Sequence, residues 1–268
     1  MYKHITTGWN IGWGRGLVLF IFLYFAASAP ISAVEFKAEL DWARQVELGT
    51  PVRGVIERVM VKPGQRVKQG EVLLQLDQRG FKSQVAGLKA QLEQFKAELA
   101  EAKREQDRSL ELYDRTVLSD HELQIAKNNF IAAKAKYHKG QAELVQAELD
   151  LEYSSLRAPF DAVIITRQAE VGQVVVPDLK PIVLFVVVDA NYMHANAWLT
   201  SKQVAKVEID MEVTVNIDDD TFNGRVFNIR RASEADNQSG GKDFLLKVEF
   251  PMKSQKLYAG QAAVIILP

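Results

Sequence analysis

Residues 81–102 read FKSQVAGLKAQLEQFKAELAEA, and residues 123–151 read LQIAKNNFIAAKAKYHKGQAELVQAELDL. Apolar or small residues fall at Phe81, Val85, Leu88, Leu92, Phe95, Leu99 and Ala102 in the first stretch. In the second they fall at Leu123, Ala126, Phe130, Ala133, Tyr137, Gly140, Leu144, Ala147 and Leu151. The steps alternate between three and four, the spacing that keeps one stripe of a helix against a partner helix. No proline occurs from Phe81 to Tyr153, and neither stripe continues through Tyr113–Ser119. Two periodic helices joined by a short break are most simply an antiparallel hairpin. Each arm of about 33 residues is roughly 50 Å long, more than one small domain needs, so the hairpin is expected to project. Ala126, Ala133, Gly140 and Ala147 offer space to the larger side chains of the first stripe. Gly140 costs about 1 kcal/mol of helix propensity against alanine. It reads either as a close-contact position opposite Leu92 or Phe95, or as a weak spot that bends the helix.

On both sides of this pair the pattern changes to short β segments. Residues 51–77 carry valines and leucines in short runs, punctuated by turn signals at Lys62-Pro63-Gly64 and Gln69-Gly70. Residues 156–176 repeat the pattern: Val59 to Gln65 can be laid on Ile165 to Gln173 with a small insertion. Neither half holds enough strands to bury a core alone, so the two must meet, with the helices leaving from their junction. Residues 35–50 start as an extended strand. From Asn191 to Leu199 the chain alternates, Ser201–Val207 reads as a short helix capped by Ser201, and strands follow at 212–217, 222–229, 244–250 and 262–267. Their spacing, with turns at Asp218–Asp220, Asn237–Gly241 and Tyr258–Gly260, suggests a small antiparallel barrel or sandwich.

The residues Gly54, Ile56, Val59, Val61, Pro63, Gly64, Val67, Gly70, Leu73, Leu76 and Asp77 resemble, in their spacing, the first half of a lipoyl or biotinyl domain. Leu156, Ala158, Pro159, Phe160 and Asp161 resemble the opening of the second half, and Phe222, Gly224, Val226, Gly260, Ala263 and Ile265 resemble an adaptor β-barrel. A helical hairpin spliced between lipoyl halves is similar to the periplasmic adaptor family, the membrane fusion or HlyD-like proteins. The resemblance implies a mixed α and β, multidomain fold: an antiparallel α-helical coiled-coil hairpin inserted in a lipoyl/biotinyl-like β domain, then a small antiparallel β-barrel. The corresponding divisions are residues 1–33 (signal peptide), 34–77 (N-terminal strand and first half), 78–153 (hairpin), 154–189 (second half) and 190–268 (barrel). The family pattern has glycine where Ala162 stands and near Met211; alanine is strained at Ala162 if that turn needs positive φ. The membrane-proximal domain common in adaptors of RND pumps is expected to be absent.

The resemblance also implies a role: an adaptor bridging an inner-membrane transporter, with the RND type favoured and ABC or facilitator types possible, to a TolC-type outer-membrane channel. It implies trimers or hexamers. Arg108, Leu112 and Ser119 match the tip pattern of adaptors that dock such channels. Arg108 and Leu112 lie one helical turn apart on one face, and Ser119 opens the returning helix. Together they offer a charged donor fork, an apolar knob and a hydroxyl to another protein's helix ends. Ser119-Asp-His-Glu122 is also a capping box. Leu112 serves equally to close the hairpin core, and Arg108 is otherwise a solvated charge or a partner of Glu111 or Asp114.

Other functions find less support. A net charge of −1 over 268 residues leaves no basic footprint for nucleic acid. Absence of cysteine removes disulfides, thiolate catalysis and cysteine-ligated metal. A carrier domain needs a lysine at the tip between its halves, where this chain has Leu76 to Gly80, so no cofactor is expected. His121-Glu122 opens like a zinc-protease motif, but Ile125 stands at the second histidine position, and Asp218–Asp220 lacks calcium-loop spacing. No Gly-x-Ser-x-Gly nucleophile occurs, so no enzyme is indicated. Lys3 and Arg15 precede an apolar run at 16–27 that is short for a membrane span. The run reads as a signal peptide cleaved after Ala33, or alternatively as a retained anchor, placing the remainder in the periplasm beside the inner membrane. A structural envelope tether, its hairpin bound to another partner, is the alternative function.

Overall fold

The computed structural model describes residues 34–177, 182–231, 243–252 and 257–268. The expected signal peptide lies outside them. In chain order the elements are β1 (Glu35–Trp42), β2 (Gln45–Leu48), β3 (Gly54–Val59), β4 (Arg66–Val67) and β5 (Val72–Leu76), then α1 (Arg79–Asp114) and α2 (Asp120–Tyr153). There follow β6 (Ser155–Arg157), β7 (Ala162–Arg167), β8 (Val174–Val175), β9 (Phe185–Asp189), β10 (Tyr192–Leu199) and α3 (Ser201–Val204). The last strands are β11 (Glu212–Ile217), β12 (Asp220–Arg231), β13 (Phe244–Pro251) and β14 (Ala262–Ile266).

The two β half-modules do meet, and they do so by exchanging strands. One sheet runs β2-β9-β7-β4 and the other β6-β5-β3-β8. Thus β4 pairs with β7, β3 with β8 and β5 with β6, each pair joining residues from opposite sides of the helices. Ile56, Leu73, Leu74, Leu76, Ile164, Leu184, Phe185 and Val187 fill the space between the sheets. The internal repeat is closer than the sequence suggests, since the bounds of β3 and β4 match those of β7 and β8 at one constant sequence offset, with no insertion. Gly64 donates to the Ile164 carbonyl at 2.7 Å, and its counterpart Gly172 donates to the Ile56 carbonyl at 2.9 Å. Both glycines hold φ near +80° (80° and 86°), a conformation that costs glycine nothing. Gln65 and Gln173 each fold their side-chain oxygen back onto the backbone N–H three residues earlier, at 3.1 and 3.0 Å. Ala162 is an ordinary buried strand residue paired with Val67 and Asp189, so no strain arises where the family pattern has glycine.

The second β module is a closed six-stranded barrel, β1-β10-β13-β12-β11-β14. Its first strand is a correction: the division at 34–77 groups residues 35–42 with the first half-module, yet β1 pairs with β10 on one side and β14 on the other. The alternation of Phe36 and Leu40 inward with charged residues outward suits a barrel wall. Phe36, Leu40, Met193, Val215, Phe222, Val248, Phe250 and Ile265 form its core. The loop lacking a glycine near Met211 takes positive φ at Asp210 (66°) instead, a residue that tolerates it better than most. Helix α3 is capped by Thr200, not Ser201: the Thr200 N–H and the Gln203 side chain close a capping box.

Helices α1 and α2 run antiparallel, as the inter-helix ion pairs Lys89–Glu148 (3.0 Å) and Lys136–Glu98 (2.6 Å) require. Every residue of both stripes is buried or half-buried, and the flanking Lys, Glu and Gln residues are mostly exposed. A Cβ on Gly140 would sit 2.7 Å from the Phe95 ring and 3.7 Å from Leu92. The close-contact reading of Gly140 therefore holds. Phe95 is roofed by Lys136, whose ammonium lies 4.5 Å from the ring centroid.

At the root, the pair leaves between the neighbouring strands β5 and β6. Gln78 donates to the hydroxyls of Ser154 and Ser155, both at 2.9 Å, and Thr50 donates to the Tyr153 carbonyl at 2.8 Å. Ser154 is fully buried, with its hydroxyl satisfied by the Leu151 carbonyl. Buried and paired polar groups of this kind fix the direction in which the helices depart.

Candidate functional site

The far end of the helix pair is shaped by its backbone. Helix α1 stops because the chain turns left-handed at Thr116, φ 62°. The Thr116 N–H reaches the Tyr113 carbonyl and the Val117 N–H the Leu112 carbonyl, both at 2.9 Å. These are the two bonds of a Schellman motif, which satisfies carbonyls left over at a helix C-terminus. Glycine normally occupies the left-handed position; a β-branched threonine there is strained. Helix α2 then opens on Ser119, whose hydroxyl accepts from the Glu122 N–H at 3.3 Å while the Glu122 carboxylate accepts from the Ser119 N–H at 3.0 Å. The hydroxyl also donates to that carboxylate at 2.7 Å. These bonds from Ser119 hold the Glu122 carboxyl below its ordinary range.

Arg108 is exposed and pairs with Glu105 at 3.0 Å, one turn back along the helix, rather than with Glu111 or Asp114. Glu111 is instead taken by Arg115 at 2.6 Å. Leu112 is half-buried and its carbonyl closes the Schellman turn; Ser119 is exposed and caps α2. Leu112 and Ser119 thus stand at the two ends of the turn, while Arg108 lies one helical turn back along α1. Between them lies a residue that sequence reasoning passed over: Val117, 71% exposed, at the apex. Only a turn forced by Thr116 pushes this aliphatic side chain outward, and no glycine marked that turn in the sequence.

The other candidate chemistry disperses. His121 and His138 are exposed on α2, and Glu122 is committed to the cap. No group of three or more His, Asp or Glu side chains among the described residues is placed to hold a metal. His194 is buried in the barrel wall, its Nε2 without a hydrogen bond and 3.6 Å from Glu249. No helix among the described residues is long and apolar enough to cross a membrane.

The fold is a β-sandwich of two interleaved halves, interrupted by a helix pair and followed by a barrel, and comparison with known proteins finds the same arrangement. Residues 44–189 match the model of the CzcB-like barrel-sandwich hybrid domain. The chain belongs to that family, whose relatives are membrane fusion or periplasmic adaptor proteins. It is 25% identical over 209 residues to nodulation protein NolF of Rhizobium meliloti, covering 77% of this chain and 56% of that protein. It is likewise 25% identical over 199 residues to the cobalt-zinc-cadmium resistance protein CzcB of Cupriavidus metallidurans, covering 71% of this chain and 37% of that one. The chain thus spans between a third and three-fifths of these relatives' lengths. Among solved structures, a MacA–MexA chimera carrying the Pseudomonas aeruginosa MexA α-hairpin domain aligns with TM-score 0.62 at 19% identity, over 87% of this chain and 80% of that one.

Proposed function

We propose that this chain is the periplasmic adaptor subunit of a tripartite efflux or export pump, linking an inner-membrane transporter to a TolC-type outer-membrane channel. The observation that carries this reading is the exposed tip of a long helix pair rooted between β5 and β6. In the proposal the pair is a two-stranded coiled coil, and the tip residues Arg108, Leu112 and Ser119 dock the channel. Arg108 supplies charge-assisted donors to carbonyls or carboxylates, Leu112 an apolar contact, and Ser119 a hydroxyl beyond its capping role. The work done is assembly and coupling rather than bond chemistry. Protomers pack as trimers or hexamers so that the tips form a ring, and the inner-membrane partner is of the RND type in preference to an ABC or facilitator type.

A photo-crosslinker placed at Leu112 or Ser119 in cells tests this directly. Capture of an outer-membrane channel is the expected result; capture of cell-wall-associated proteins alone would replace the adaptor with a structural tether. Arg108→Asp supplies the functional counterpart. Its side chain is exposed and, among the described residues, bonds only to Glu105, so the melting temperature stays unchanged while export is lost. Normal export by that variant would remove Arg108 from the docking surface.

A further inference from the structure

A second site lies far from the tip, where the barrel faces the β-sandwich. A cavity of about 650 Å³ opens there, within the size range of pockets that hold drug-sized ligands. Trp42, Met252 and Tyr258 come from the barrel; Arg66, Val163 and Ile165 come from the sandwich. Its walls are mainly apolar, and two of its side chains, Tyr258 (59%) and Ile165 (39%), are unusually exposed for their type. Two aromatic rings near one cleft offer flat, apolar contact area to a planar ligand. Among the described residues Arg66 is the only charged side chain in the lining, and none of them engages it in a hydrogen bond or ion pair. By contrast Arg58, Arg79, Arg108, Arg115 and Arg167 all hold partners.

We infer that this cleft binds a small amphipathic organic anion, its planar apolar body between Trp42, Ile165 and Tyr258 and its acidic group on Arg66. The charge pattern selects the class: a cation meets no carboxylate among the described lining residues, and a strongly polar anion gains nothing from the apolar walls. Ligand pockets of this composition, apolar with one placed charge, recur at module boundaries. Because its walls come from both β modules, a bound ligand favours whichever angle between them closes the cleft. The inference stands independently of the tip and its partner.

The probe is 8-anilinonaphthalene-1-sulfonate, with N-phenyl-1-naphthylamine as its uncharged counterpart, titrated into the purified full chain and followed by energy transfer from tryptophan. One saturable site is expected for the sulfonate, with transfer reduced in Trp42→Phe. Arg66→Gln weakens the sulfonate about fivefold, as loss of a partly solvated charged contact should, and leaves the uncharged dye unaffected. Ile165→Asp weakens both. Equal sulfonate affinity in Arg66→Gln, or undiminished binding of both dyes to Ile165→Asp, would overturn the assignment. If light scattering instead showed Ile165→Asp converting an oligomer to a smaller species, the cleft would belong to a second copy of this chain and the anion site would fall. Unchanged scattering beside the dye losses supports it.

Discussion

Thr116 is the residue that most sets the shape of the tip. A β-branched side chain in the left-handed region crowds its own backbone at a cost of about 1–2 kcal/mol, and among the described residues no hydrogen bond from the Thr116 side chain offsets it. Thr116→Gly keeps both Schellman bonds and relieves the strain, so the variant should gain about 1 kcal/mol against chemical denaturation. An unchanged or lower midpoint would show that the threonine side chain makes a compensating contact. His194 poses a different residue-scale problem. Its imidazole stacks on Phe227 with centroids 5.1 Å apart, with Asp41 and Glu249 opposite it on the neighbouring strands and Lys247 close enough to act on its charge. Burial, and then the Lys247 ammonium, push its pKa below the ordinary 6.5, despite the pull of Glu249 and Asp41 in the other direction. The unfolded chain therefore takes up this proton first as pH falls. The His194 contribution to stability is complete above about 6.5 and declines below it, down to the folded-state pKa. Melting temperatures measured between pH 8 and 5 should show that decline, and His194→Gln should flatten it.

At the scale of elements, the helix pair rests on one seam. Its middle is tight because Gly140 lets α2 approach the Phe95 ring. Gly140→Leu gains helix propensity of about 1 kcal/mol but drives a side chain into space already filled. Overpacking wins, and the net loss should be about 1–2 kcal/mol in thermal or denaturant unfolding. If helical content and stability rose instead, the seam would be looser than the Phe95 contact implies. The stripe itself was legible because helical periodicity is local: each of the nine seam residues from Leu123 to Leu151 follows the last by three or four. The capping box at Ser119 was legible for the same reason. The C-terminal end of α1 was not, since the usual glycine signal is missing there, and neither was the Arg108–Glu105 pair, which depends on rotamers.

For the molecule as a whole, the decisive contact is the one that sequence order hides. Strand β1 precedes the sandwich but closes the barrel between β10 and β14. Leu40, 1% exposed, points into that barrel core. Leu40→Asp buries an unpaired charge and should abolish the near-ultraviolet signal of the barrel aromatics at a temperature where the 222 nm helical signal persists. Simultaneous loss of both signals would show that barrel and helices unfold as one unit. The chain is therefore threaded twice through its own β modules: once where the barrel takes back its first strand, and once where the sandwich halves trade strands.

The amino-acid sequence by itself determined the helices, their seam, the root and break positions, the repeated glycine turns and most barrel strands. All of these rest on spacings of a few residues, where backbone geometry and burial act directly. Only the tertiary structure decided that β1 belongs to the barrel, that β3 and β4 pair with the opposite half, that Val117 is exposed in the turn between the helices and that Arg66 lines an apolar cleft. Those depend on which distant segments the closing of two cores brings together, and hydrophobic alternation marks a strand's inner face without naming its neighbour.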